Sequence, residues 1–77
     1  MKPDSFQALN NFGIALAAAG RADEAAAAFR RAITLNPTLP NLHENLARAL
    51  QLLGRVDEAA AEFARGKQLR AELRGGR

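Results

Sequence analysis

The sequence predicts an all-α fold, two helical hairpins in tandem. Three observations carry that expectation. The 77-residue chain matches itself when displaced by 34 residues. Within each copy, apolar residues recur at helical spacing on either side of a single glycine. No segment alternates apolar and polar residues as a half-buried strand does. The self-match is clearest where Gly20-Arg21-Ala22-Asp23-Glu24-Ala25-Ala26-Ala27 aligns with Gly54-Arg55-Val56-Asp57-Glu58-Ala59-Ala60-Ala61, followed by Phe29 on Phe63, Arg31 on Arg65 and Leu35 on Leu69. Residues 6–39 and 40–73 share 14 identities in 34 pairs. Alanine inflates that figure, but the Gly, Asn, Asp, Phe and Leu matches are independent of it. The units expected are therefore 6–39 and 40–73, with 74–77 as a disordered basic tail.

Each element has a local cause. The first helix is predicted from Leu9, Phe12 and Leu16, with Asp4 three residues before Gln7 as a capping box. Gly20 ends it, because glycine enters the left-handed region without steric cost. The second helix is expected from about Ala22 to Leu35, with Asp23 and Glu24 in its first turn, where the helix dipole favours acids. Asn36-Pro37 stops it, since the residue before a proline is pushed out of helical geometry. Leu42, Leu46, Leu50 and Leu53 mark the third helix and Gly54 its end. Ala59, Phe63 and Leu69 mark the fourth. At the place corresponding to Pro37 the second copy has Ala71, so the last helix is expected to run on.

Composition narrows the function. With no cysteine, disulfide frameworks and thiolate zinc sites are excluded, and packing alone holds a core that at this size supplies roughly 3–5 kcal/mol. The net charge of +3 is unevenly placed: residues 65–77 carry +4 and the other 64 carry −1. The start Met1-Lys2-Pro3-Asp4 lacks the order of a signal peptide, and the longest apolar run, Ile14–Ala19, is far below the roughly 20 residues of a membrane span. A cytoplasmic setting is expected, and 18 alanines with nine arginines against two lysines suggest a GC-rich bacterial source.

A 34-residue helix–turn–helix unit with this residue order resembles the tetratricopeptide repeat. The residues that carry the likeness are Leu9, Phe12, Gly13 and Leu16, then Ala25 and Phe29, then Pro37. The second copy offers His43, Leu46, Ala47, Leu50, Ala59 and Phe63. It departs from the pattern where Ala47 replaces the tight-packing glycine, Gly66 the small alanine and Ala71 the final proline. The resemblance implies a solenoid of stacked helix pairs, a binding role without catalysis or cofactor, and a groove along the first helix of each pair that holds peptides. Gly13, Ala15, Ala25 and Ala32 are small where paired helices approach, and Phe29 and Phe63 are large enough to fill the wedge between pairs. One such unit cannot bury its apolar face alone, and two is fewer than the usual minimum of three.

By helical phase, the groove candidates are Gln7, Asn10, Asn11, Ile14 and Ala18 in the first unit and Asn41, Glu44, Asn45, Arg48 and Gln51 in the second. Asn11 and Asn45 occupy equivalent positions. An amide both donates and accepts, so a ladder of them suits an extended peptide backbone; the same residues could instead tie helices together. The pair resembles the asparagines of peptide-binding tetratricopeptide domains. It also resembles the two asparagines of the carboxylate clamp in chaperone-binding members, but the rest of the clamp is not matched, because its expected lysine is Gln7 here and its other basic residues belong to a third repeat. Arg48 has two readings, a carboxylate of a ligand or Glu44 one turn earlier, of which the local pair is favoured. His43 is the sole histidine and is expected to pack at the junction. Adjacent helical residues diverge, so His43 and Glu44 form no joint acid–base site. No nucleophile or metal cluster is legible, and neither enzyme activity nor a cofactor is expected.

In the last helix Glu62, Lys67, Gln68 and Arg70 replace Ala28, Ile33, Thr34 and Asn36, which reads as a solvated terminal cap and a natural chain end. Apolar residues nonetheless remain at both ends: Phe6 and Leu9 at the front, and Val56, Ala59, Ala60, Phe63, Leu69 and Leu73 around the last helix. The expected partner is a protein or peptide. A homo-oligomer, either a symmetric dimer or an exchanged hairpin, is the alternative. Nucleic acid bound by the basic end is a weaker alternative, and no membrane partner is expected.

Overall fold

The computed structural model describes residues 5–75, and they form four α-helices in a row: α1 (Phe6–Ala18), α2 (Ala22–Leu35), α3 (Pro40–Leu52) and α4 (Val56–Gly75). α1 packs on α2, α2 on α3 and α3 on α4, while α1 and α3 meet along one side. The fold is a 38 × 31 × 16 Å slab only two helices deep, so each helix keeps an exposed face.

The two hairpin turns are copies of one another. Gly20 and Gly54 have φ of 82° and 80°, the left-handed geometry that the sequence assigned to them. Each is followed by an arginine whose N–H reaches back to the end of the preceding helix, Arg21 to the Leu16 carbonyl at 2.8 Å and Arg55 to the Leu50 carbonyl at 2.9 Å. These six-to-one bonds satisfy carbonyls that would otherwise lack partners. The same arginines pair with Glu24 and Glu58 at 3.0 and 3.1 Å. α2 ends at Asn36, and α4 runs 20 residues for want of a proline. Arg74 and Gly75, assigned to the tail by sequence, are its last helical turn.

At the start of α1 the capping residue is Ser5, whose Oγ accepts from the Ala8 N–H at 3.3 Å. The capping box expected from Asp4 falls on a residue outside those described.

The core is built on alanine and leucine around one aromatic ring. Phe29, 2% exposed, lies against Gly13, where a Cβ would stand only 2.6 Å from its ring. Leu16, Ala25, Leu46, Ala47, Leu50 and Ala59 complete this cluster, and Leu9, Ala32 and Leu42 form a second beside it. Ile33 packs against both clusters and so closes the junction between the hairpins. Lys67, its counterpart in α4, is exposed as a cap residue should be.

The ends differ from expectation in detail. Leu9 is buried, whereas Phe12, read as core, is 58% exposed because no helix among the described residues packs on that side of α1. Of the apolar residues around α4, Ala59 and Leu69 are buried, Phe63 is half-buried, and Val56 and Leu73 are exposed.

Candidate functional site

The candidate surface is the side where α1 and α3 run next to each other. A pocket of about 270 Å³ opens there, lined by Phe6, Gln7, Asn10, Asn11, Leu39, Asn41 and Leu42. Its floor is apolar and its polar lining is four amides, all from groove positions predicted by helical phase. Of the other predicted residues, Ile14, Ala18 and Gln51 are exposed away from it, and Glu44, Asn45 and Arg48 do not line it either. The latter three organise it or flank it.

Two arginines set the polarity of the amides. Arg48 donates from Nη1 to the Asn45 Oδ1 at 3.1 Å. Arginine has no acceptor, so this fixes Asn45 with its oxygen toward Arg48 and its nitrogen toward α1. Asn45 Nδ2 then donates to the Asn10 Oδ1 at 2.8 Å. On the other side, Arg70 of α4 donates to the Asn41 Oδ1 at 3.1 Å. Asn10 and Asn41 thus spend their oxygens within the protein and keep their N–H groups. Among the described residues Gln7 and Asn11 have no side-chain bond. Amide orientations are assigned from such networks, and here two pure donors assign them.

Two sequence readings are corrected by this arrangement. Arg48 does not pair with Glu44. Glu44 is held by Arg70, with Nη2 at 2.8 Å from Oε2 and 2.9 Å from Oε1. α4 is long enough to bring Arg70 back over the start of α3, where it reaches both Glu44 and Asn41. Nor do Asn11 and Asn45 act alike. Asn45 braces α3 to α1 through Asn10, the neighbour of Asn11, while Asn11 stays exposed on the pocket rim.

A second buried constellation joins the helices behind the groove. His43 is 7% exposed, with Nδ1 at 2.8 Å from the Glu62 Oε1 of α4 and Nε2 donating to the Pro37 carbonyl at 3.1 Å. Both partners accept hydrogen bonds, so the ring serves both when it carries N–H on each nitrogen. Glu62, read as a solvated cap residue, in fact turns inward to His43. The aligned residues in the first unit are Leu9 and Ala28, an apolar pair. Two apolar-to-polar changes at positions that face each other were the signal for this contact.

These features define a class: a helical-repeat module that presents a polar-lined surface. A tetratricopeptide repeat family model matches residues 16–72, and the chain belongs to the tetratricopeptide repeat family. The solved structure MamA MSR-1 C2 superposes with a TM-score of 0.87 at 30% identity, over 92% of this chain and 41% of that one. The chain thus spans less than half the length of that neighbour. A search of curated proteins finds no significant match. Tetratricopeptide repeats mediate protein–protein interaction. Among the described residues no helix is long and apolar enough to cross a membrane.

Proposed function

We propose that the α1–α3 surface binds an extended protein segment that offers hydrogen-bond acceptors, either backbone carbonyls or acidic side chains, with Gln7, Asn10, Asn11 and Asn41 as the contacting residues. The observation that carries this reading is the poling of the amides: Arg48, acting through Asn45, and Arg70 consume the oxygens of Asn10 and Asn41 and leave donors over an apolar floor. Arg48 adds positive charge beside them. Glu44 is neutralised by Arg70 and repels an acidic segment less than a free carboxylate would. The alanine- and arginine-rich composition fits a bacterial protein.

The test is an isosteric pair of variants. Binders are selected from an array of short peptides and titrated against the chain. Asn41→Asp preserves size but replaces the donor with an acceptor, so it is expected to weaken binding more than Asn41→Ala does. Equal binding by Asn41→Asp and the parent chain would sink the donor-surface reading.

A second reading, assembly of copies through the exposed ends, is favoured by Phe12 at the front and by Val56 and Leu73 around α4. Nucleic-acid binding is supported less, because Arg70 of the basic end is engaged with Glu44 and Asn41.

A further inference from the structure

The chain contains its own example of what covers the leading face of a repeat. On the second unit that face is closed by α2: Leu46 is 3% exposed, and Glu58 is reached by Arg30 of α2 at 3.6 Å. Thirty-four residues earlier the same positions hold Phe12 and Glu24, and Phe12 stands open beside a depression of about 230 Å³ floored by Leu9, Leu16, Ala27 and Ala28. Glu24 and Arg31 flank it.

We infer that this face pairs with the same face of a second copy, related by a two-fold axis. The inference rests on the assembly reading and names the surface that performs it. Glu24 and Arg31 are seven residues apart on α2, two helical turns or about 10 Å. Ala27 and Ala28 lie midway. An axis through those alanines sets the two α2 helices antiparallel and brings each Glu24 against the partner's Arg31. An isologous contact demands such self-complementarity. The same face carries a projecting group, Phe12, and an apolar hollow of leucine and alanine to receive it. Alanine at the crossing lets the helices come to the short end of the usual 8–10 Å separation. The Arg31 side chain forms no hydrogen bond or ion pair among the described residues, and the Glu24 side chain has only the exposed local Arg21.

The trailing face of a second copy is a poorer occupant. α2 closes the second unit with Ile33 and Arg30, but α4 has Lys67 and Ala64 at those positions. The apolar contact and the cation that reaches the glutamate are both missing. A head-to-tail stack therefore lacks what the internal junction uses.

The absence of cysteine gives the test a clean background. In the Ala27→Cys variant, a short bismaleimide is expected to link two copies, because this residue lies beside the axis. In sedimentation experiments Phe12→Ala is expected to raise the dimer dissociation constant at least about tenfold, since an aromatic ring dominates a small apolar contact. Glu24→Arg separates the copies, and adding Arg31→Glu restores them. Phe12, Glu24 and Arg31 are exposed, so circular dichroism should report an unchanged helix content in each variant. A monomer at millimolar concentration overturns both this inference and the assembly reading. A dimer that survives Glu24→Arg and is not linked through Ala27→Cys overturns the inference alone. Separation by Glu24→Arg that the second swap does not reverse also counts against it.

Discussion

Gly13 offers the sharpest test of how the core is packed. A Cβ at this position would stand 2.6 Å from the Phe29 Cε1 and 2.9 Å from both Cδ1 and Cζ. The ring cannot swing away, because Phe29 is 2% exposed and enclosed by the α1–α3 core. Two effects compete in Gly13→Ala. Alanine gains about 1 kcal/mol of helix propensity over glycine. Forcing a methyl into a filled core costs about 1–3 kcal/mol. The distances decide: three ring atoms lie inside 3.0 Å, so the upper part of that range applies and the net loss is about 1–2 kcal/mol. For a domain of this length each kcal/mol lowers the melting temperature by about 4–8 °C. Urea and thermal unfolding, followed by helical circular dichroism, measure it. Combining Gly13→Ala with Phe29→Leu should recover part of the loss, with a coupling of at least about 0.5 kcal/mol. A Gly13→Ala chain as stable as the parent would refute the close-packing argument, since propensity alone would then govern. The second unit already holds the counterpart, Ala47, and there the aligned ring, Phe63, is only half-buried.

The His43–Glu62 contact should behave as a unit: His43→Leu alone leaves Glu62 unpaired, whereas His43→Leu with Glu62→Ala rebuilds the Leu9–Ala28 pair of the first unit. The double variant is expected to be more stable than His43→Leu by about 1 kcal/mol in urea unfolding, allowing for the partial exposure of Glu62. Gly20→Ala and Gly54→Ala should each cost about 1–2 kcal/mol by the same assay, because both residues hold positive φ, although no atom lies within 4 Å of an added Cβ. Arg70→Ala should lower stability by no more than about 1 kcal/mol, since its side chain is 49% exposed. It should still weaken peptide binding, because Asn41 is then free to turn its oxygen outward, and titration of the same peptide reads that effect.

The repeat made the architecture legible. A 34-residue register locates both glycine turns, the stop at Asn36 and the overrun of α4, because each is a backbone preference encoded by one or two residues. Helical phase also found the four amides of the pocket. It did not find their partners. Asn10 and Asn11 are neighbours, and which of them faces Asn45 depends on how α1 crosses α3, a property of the packed core. Arg70 reaching Glu44 was hidden for a related reason: it spans two helices whose overlap is set by the length of α4. Phe12 is exposed where its aligned residue Leu46 is buried, since α2 covers Leu46 and no described helix covers Phe12. Periodicity describes a repeat inside an array and misreads its terminal face.

The central claim is that the α1–α3 surface, poled by Arg48 and Arg70, is where a protein segment binds. Side-chain amide resonances test it most directly, in a nitrogen-15 spectrum of the chain titrated with an array-selected peptide. The account predicts saturable shifts in the NH₂ signals of Gln7, Asn10, Asn11 and Asn41, with the α2 and α4 backbone largely still. Shifts confined to α2 and α4, with those four signals unmoved at saturation, would contradict it.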